Sequence, residues 1–496
     1  VFVNRDGFPT FDFGLDYIKG ISKARNEQTP TGYIIGSYGM DLTARTGYGA
    51  DIWTFRSSLG EATNESIGLY VNDKWQFDKH LTFQLGVRFD KYTAKKENGS
   101  TSAGANGISP RLGVKYDVNG DSKWILGASV ARYNGKVLDT IVNSVTNQGN
   151  PSETDYAYIG PAGPQPYSVL YTLSNYDISP GGVVYFNDPA VNVRMNRGMK
   201  APTVDEIQLS GAYSFNNDTV GAGFVSLTAV TKTWKNLISY RVGNDGTVQD
   251  AYGQSYFLKV WDNDNLAERK YRGLEAQVEA TKGKFHLAGN ISWSRLEGNY
   301  EGEGTSTPGR GEALQNFTIV NGVRMYSNSV TAPYGFLAGH TPLSMRWTGD
   351  HTTANRFGNF VIGLAYSFTS GAHYSDTRTI TRSQLNSALP SEFPSPATQY
   401  RDGKRGEFVL PGQAYLDLAI TQEFEFFKVK STPVKGFLKV VMTNFLNHQQ
   451  IIGWNTSSNA ATGAANAGLA SPWVRGSAYG TSTSASNYGA ARNITL

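Results

Sequence analysis

Apolar and polar side chains alternate along residues 65–92. Because successive side chains on a strand point to opposite faces, this pattern predicts a hairpin with one apolar and one polar face, turning at 78–80. Each arm exceeds the usual strand of about 5–6 residues and suits the about 9–11 residues that a membrane-spanning strand needs. The apolar positions are Ile67, Leu69, Val71, Trp75 and Phe77, then Leu81, Phe83, Leu85, Val87 and Phe89.

The same alternation returns along the chain, and the connections between the alternating segments have two lengths. Short ones fall at 78–80, 119–122, 216–218, 282–284, 350–357 and 428–434; long polar ones fall at 93–107, 134–190, 241–267, 299–335, 374–410 and 447–487. A compact soluble domain rarely has many loops longer than about 12–15 residues. Short periplasmic turns alternating with long extracellular loops are typical of membrane barrels. The sequence therefore predicts an all-β fold, a transmembrane antiparallel β-barrel with roughly fourteen to eighteen strands in this chain.

Composition is consistent with one barrel domain over residues 1–496. The order of strands in 1–63 is not readable, whereas 64–496 carry the predicted barrel strands and extracellular loops. No apolar run approaches the about 18 residues of a transmembrane helix. The net charge of +4 is too small to indicate nucleic-acid binding. We therefore expect no nucleic-acid partner.

Seven segments in order resemble the barrel of TonB-dependent outer-membrane receptors, most closely the Oar-like branch. They are LYVNDKW at 69–75, LTFQLGVRFD at 81–90, SPRLG at 109–113, KAPTVDE at 200–206, YRGLE at 271–275, WSRLEGN at 293–299 and TNFLN at 443–447. The family barrel has about 22 strands. The family's signal peptide, N-terminal plug and TonB-contacting segment are not found in this sequence. The chain stops at 492–496, where we expect a strand to be interrupted.

The resemblance implies a receptor in the outer membrane of a Gram-negative bacterium. Its extracellular loops would bind a peptide, glycan or chelate, which would be imported or, as the Oar-like branch allows, exported through a gated barrel. Its partners would be outer-membrane lipid and lipopolysaccharide, and the TonB–ExbB–ExbD complex through a missing N-terminal region. Two alternatives stay open: a structural or adhesive surface protein that displays its loops, and a passive porin-type channel.

The sequence predicts neither an enzyme nor a cofactor. The six histidines are scattered without metal-ligand spacing, and no Gly-x-Ser-x-Gly nucleophile motif is present. The weak metal candidates are Asp262 and Asp264, which place oxygen ligands at alternate positions as calcium loops do. They lack the glycine and distal glutamate of a complete calcium motif, which favours a plain polar loop.

Two groups of residues are candidates for contact with a ligand. Lys74, Arg88, Asp90, Glu275 and Glu279 fall on the polar parity of their strands, so they would line the lumen, either touching plug or substrate or only being solvated there. The aromatic candidates in the long loops are Trp261, Tyr300 and Tyr374. Aromatic rings suit bulky polar ligands, and they suit packing of the loops against each other equally well.

Overall fold

A single antiparallel sheet organises the protein. The computed structural model describes residues 8–26, 33–38, 43, 45–47, 49–55, 58–95, 101–137, 141–142, 153–187, 191–196, 198–250, 253, 255–301, 317–320, 323–326, 333–380, 397–401, 404–429, 432–456, 458–460, 473–482 and 484–495. Within these residues, fourteen strands pair consecutively in chain order, and the two-residue strand Gly335–Phe336 adds to the ninth. Fourteen is the lower end of the number that the sequence predicts.

The fourteen strands are labelled β1 to β14 in chain order. Their bounds are β1 Phe8–Asn26, β2 Ser58–Gln76, β3 Leu81–Lys95, β4 Thr101–Asp117, β5 Trp124–Asn134, β6 Thr203–Asn217, β7 Gly221–Lys235, β8 Arg269–Lys282, β9 Phe285–Gly298, β10 Leu343–Asn355, β11 Gly358–Thr369, β12 Gln413–Val429, β13 Thr432–Thr443 and β14 Asn493–Thr495. Neighbours are antiparallel throughout, and β1 and β14 end the path.

The connections alternate in length, as the sequence predicts, with one exception. Those at 77–80, 118–123, 218–220, 283–284, 356–357 and 430–431 are short and lie at one end of the sheet, here the turn end. The opposite end, here the loop end, carries the longer ones. The predicted long connection at 93–107 was wrong, because β3 continues to Lys95 and β4 begins at Thr101. Glycine, serine and alanine in this stretch hide its alternation from a hydrophobicity pattern.

One face of the sheet is apolar and exposed. On β1, Phe13 is 77% exposed and Leu15 65% exposed, the reverse of a soluble core. Near the turn end, directly opposed residues on this face form aromatic pairs: Trp75 with Phe83, Trp124 with Tyr213 and Phe285 with His351, with ring centroids 5.6, 4.4 and 4.1 Å apart. An apolar band bounded by an aromatic girdle is typical of a membrane-facing barrel surface.

The polar face is covered near the loop end by packed connections. The largest buried cluster joins wall residues of this face, among them Ala62, Tyr92 and Ala94, to loop residues such as Ile238 and Trp261. The connections therefore fold back over the polar face, which makes it the interior of the structure. No helix in the described parts of the chain is long and apolar enough to cross a membrane.

Short elements order the connections themselves. Residues 33–38 and 49–55, from the part of the chain whose strand order was not readable in the sequence, belong to a four-stranded loop sheet and not to the wall. The loop strands are Tyr33–Tyr38, Thr46–Gly47, Gly49–Phe55, Glu153–Tyr156, Gln165–Pro166, Val183–Asn187, Val193–Met195, Ile238–Gln249, Ser255–Asn263, Phe317–Val320, Val323–Tyr326, His373–Tyr374, Thr377–Ile380, Ala397–Tyr400, Phe408–Val409, Ser458–Ala460 and Trp473–Arg475. Among the described residues, helical elements with defined bounds are α1, Tyr167–Leu170, and the 3-10 turns Leu173–Asn175, Pro180–Gly182 and Ala485–Asn487.

Candidate functional site

Arg88 and Asp90 form an ion-pair network on the polar face of β1–β3. The Arg88 guanidinium contacts Asp16 Oδ2 at 2.5 Å and Asp90 Oδ1 at 2.7 Å. Gly68 lies between the two carboxylates in the register, opposite Asp16 on one side and Asp90 on the other. Its missing side chain lets the guanidinium cross β2 to reach β1. The alternation in the sequence predicted that Arg88 and Asp90 share one face of a strand. It did not indicate Asp16, because β1 was not readable as a strand of the wall.

The other polar-face candidates lie elsewhere on the wall. Lys74 is exposed opposite Gln84 on β2 and β3. Glu279 Oε1 lies 3.6 Å from His286 Nε2, whose ring also approaches Asp350 at 3.2 Å. These charges lie on the polar face, and the structure distributes them over several strands.

Glu275 lines a concavity of about 690 Å³ on the polar face of β6–β9. Glu206 and Lys232, whose charged atoms are 2.7 Å apart, form one side of it. The Arg269 guanidinium, 5.2 Å from the centre of the Trp234 ring, forms part of the loop-end side. Mixed charges, an aromatic ring and several hydroxyl or amide groups make this concavity suitable for polar segments or polar ligands.

Trp261 packs in the connection between β7 and β8, where it is 3% exposed. Its ring meets Tyr240 edge to face at a centroid distance of 4.9 Å. Lys259 Nζ lies 3.6 Å from the centre of the Tyr240 ring and 5.6 Å from that of Trp261. Burial lowers the pKa of Lys259 to about 8, because the surroundings disfavour the charged form. The cation is stabilised by ring faces rather than by a carboxylate.

Tyr300 is 1% exposed, and its hydroxyl donates a 2.6 Å hydrogen bond to the carbonyl oxygen of Ile238. The ring therefore ties the connection after β9 to the connection after β7. Together with the burial of Trp261, this assigns both residues to packing between loops, one of the two roles that the sequence left open. Neither ring presents its face to the outside in this structure.

Tyr374 lies in a cluster between the connections after β11 and β13. Its ring stacks on Phe408 with a centroid distance of 5.4 Å and meets Trp454 edge to face at 5.8 Å. Nearby, Asp376 is 2% exposed and accepts hydrogen bonds of 3.3 Å from Arg401 and Arg475. A buried carboxylate shared by two guanidinium groups joins these two connections.

The weak metal candidates have protein partners. Asp262 Oδ2 accepts a 2.7 Å hydrogen bond from the Asn196 amide, and Asp264 Oδ1 accepts a 2.8 Å bond from the Leu266 backbone N–H. Among the described residues, no group of three or more metal-ligating side chains comes together. The contacts at both aspartates are those of an ordered polar loop.

A histidine pair at the loop end had no signal in the sequence. His340 is 3% exposed, stacks on Phe336 at 4.2 Å and lies 4.7 Å from His373, all between ring centroids. Its Nδ1 accepts a 3.2 Å hydrogen bond from the Leu296 backbone N–H. Burial, followed by the neighbouring His373, lowers the pKa of His340 to about 4. The two histidines are 33 residues apart and meet only because two connections pack together.

This architecture matches that of a known protein family. The family model described as TonB dependent receptor-like, beta-barrel, matches residues 2–420. The chain belongs to this family. It is a receptor barrel of the Gram-negative outer membrane and not an enzyme. The loop end of the barrel accordingly faces outward and the turn end faces the periplasm.

Individual relatives are consistent with this family. The chain is 23% identical over 270 residues to the TonB-dependent transporter Oar of Myxococcus xanthus, an alignment covering 50% of this chain and 24% of that protein. Among solved structures, the outer membrane transporter YddB from Escherichia coli is similar with a TM-score of 0.56 and 14% identity, covering 99% of this chain and 51% of that one. This likeness shows the barrel fold. The chain thus spans about half or less of the length of these relatives.

Proposed function

We propose that this barrel belongs to a TonB-dependent transporter that captures a ligand at the loop end and moves it across the outer membrane through the interior. A plug and a TonB-contacting segment of the full-length receptor would gate the passage, and TonB with ExbB and ExbD would drive it. The observation that carries this proposal is the family match over residues 2–420. The relatives Oar and YddB are described as transporters. For this chain, transport of a ligand is our inference.

The packing of the connections supports capture at the loop end. Connections after β5 and β7 share a buried core with the wall, and buried polar groups such as Asp376 join other connections. Ordered loops bind a ligand with a smaller loss of conformational entropy than loops that must order on binding. The bound ligand would be a peptide, a glycan or a chelate, all of which carry polar groups that such a surface can bind.

The polar face supports a passage through the interior. The network of Arg88 with Asp16 and Asp90, and the pair of Glu206 with Lys232, place both signs of charge along the wall. Charged groups inside a membrane barrel contact either water or a protein segment, because lipid excludes them. A gated interior would use these groups to hold the plug and then the passing ligand.

The test is transport by cells that carry the full-length receptor gene. Its deletion, and separately the loss of TonB, should both abolish uptake or release of the same compound, identified by comparing spent medium of the three strains. The adhesive alternative predicts a different result. Deletion of the receptor would cause a cell-adhesion defect, and the TonB mutant would adhere normally. Steady ion conductance by the purified full-length protein in planar bilayers would support the porin alternative.

A further inference from the structure

A groove runs along the apolar, membrane-facing side of β7. Four directly opposed residues on β6 to β9 form one row across it, Leu209, Ala229, Leu274 and Trp293. Ala229 is the small member of the row, so the larger side chains on either side form the walls. The resulting concavity has a volume of about 590 Å³ and is lined mainly by apolar atoms. Its apolar lining suits an acyl chain lying along the strand.

The chemistry of the wall changes at the next row toward the loop end. That row places Arg272 directly opposite Arg295, with Thr231 and Ile207 beyond them. Arg272 also lines the groove. One step along the strands thus separates an apolar floor from two guanidinium groups on the same outward face. This is the arrangement expected where a lipid tail meets its headgroup.

The two arginines differ in their partners. Arg295 contacts Glu297 at 2.6 Å on its own strand. Arg272 is exposed and has no ion-pair partner among the residues that the structure describes. A guanidinium presents a fixed fork of hydrogen-bond donors that matches a phosphate. The guanidinium of Arg272 lies at the loop-end side of the groove, where a headgroup phosphate would be.

We propose that this groove binds a phosphorylated glycolipid of the outer leaflet, with an acyl chain along Ala229 and a headgroup phosphate on Arg272 and Arg295. The bound lipid belongs to the outer leaflet because the arginines lie toward the loop end, which faces outward in outer-membrane barrels. The proposal goes beyond transport and does not depend on the identity of any transported ligand. It requires only the outer-membrane location of the barrel.

Binding of lipid A to the full-length receptor in detergent, followed by native mass spectrometry, tests the headgroup contact. Arg272→Ala combined with Arg295→Ala should weaken binding by about tenfold or more, as expected for loss of charge-assisted hydrogen bonds. Lys282→Ala is the matched control, because Lys282 is also a cation on the outward parity of β8 but lies at the turn end. It should leave binding unchanged. Equal losses in both variants would overturn the proposal.

The groove is tested separately with all charges kept. Ala229→Phe should weaken lipid A binding by about fourfold for each methylene group displaced from the groove. Ala128→Phe is the control, because Ala128 is on the same row and face but does not line the groove. Heat-dependent migration on gels would confirm that each variant keeps a folded barrel. If the double variant of Arg272 and Arg295 does not fold, single Arg272→Gln replaces it in the headgroup test, because it removes one charge and leaves Ala229 unchanged.

Competition identifies the source of the phosphate. Inorganic phosphate at millimolar concentration should not displace lipid A, since it lacks the acyl chain, and a dephosphorylated lipid A should bind as weakly as lipid A binds to the arginine variant. Displacement by inorganic phosphate alone would reduce the site to a simple anion site and overturn the proposal. Undiminished binding of dephosphorylated lipid A would show that the groove binds acyl chains without a contribution from the arginines. That result would also overturn the proposal.

Discussion

Gly68 leaves open the space through which the Arg88 guanidinium crosses β2. A Cβ atom built on Gly68 would overlap Nη2 of Arg88. On the far side of β2 from its own strand, the Arg88 guanidinium contacts Asp16 at 2.5 Å. Absence of a side chain on one strand thus permits an ion pair between its two neighbours, and the pair joins the first three strands of the wall.

Gly68→Ala should push the guanidinium away from Asp16 and destabilise this part of the wall. We expect a decrease of about 1–2 kcal/mol in the free energy of unfolding, from crowding together with the loss of a partly buried ion pair. Urea unfolding of the full-length receptor in lipid, followed by tryptophan fluorescence, measures it. Gly20→Ala is the control, because no atom lies within 4 Å of its built Cβ. Equal effects of the two substitutions would contradict the role of Arg88.

The wall could be predicted from the sequence where alternation is clean. The hairpin of β2 and β3 was predicted with its turn, since every second residue from Ile67 to Phe89 is apolar with few exceptions, although β2 begins earlier than predicted, at Ser58. The same signal exists in β1, where Phe11, Phe13, Leu15 and Tyr17 alternate with polar residues and glycine. It was not assigned to the wall because its partner strand begins more than thirty residues later, beyond an unreadable connection.

The loop contacts could not be predicted, for a physical reason. Trp261 shares a buried cluster with Tyr92 and Ala62, which are more than 160 residues away in sequence. No local propensity encodes such a meeting; it follows from where the wall holds the ends of each connection. Residue type alone therefore left ligand contact and self-packing equally open for Trp261 and Tyr300, and only burial separated them.

Packing around His340 should loosen in acid. Its pKa is lowered to about 4 in the folded state, below the about 6.5 of an exposed histidine. A locally opened state therefore binds more protons, so the neutral, packed form is fully favoured above about pH 6.5 and loses stability as the pH falls toward 4. Protection of the Leu296 amide, which bonds to His340, reports this opening.

Hydrogen exchange of the full-length receptor, corrected for intrinsic rates, should show at least about tenfold less protection of this amide at pH 4.5 than at pH 7. His340→Asn keeps a side-chain acceptor but does not titrate in this range. In that variant the pH dependence should disappear. Unchanged pH dependence would assign the effect to another group, of which His373 is the nearest histidine.

Lys259 should react as an amine at unusually low pH. Its pKa of about 8 means that about half of the side chains are uncharged at pH 8. Competitive labelling of the full-length receptor with an amine-directed acylating reagent, read by mass spectrometry, should give a midpoint near that value. Trp261→Ala opens the surroundings and should move the midpoint up toward about 10.4. A wild-type midpoint already near that value would contradict the buried position of the ammonium.

The hydroxyl of Tyr300 should hold two connections together. Tyr300→Phe removes the donor of the 2.6 Å bond to Ile238 while keeping the buried ring. Loss of a hydrogen bond in a buried setting costs about 1–2 kcal/mol, which corresponds to roughly tenfold faster local opening. Hydrogen exchange over residues 255–263 measures that opening. Tyr366→Phe is the matched control, because Tyr366 is 38% exposed on the apolar face of β11. If both variants exchange at the wild-type rate, ring packing alone joins the connections, and the hydroxyl has no part in ordering the loop end.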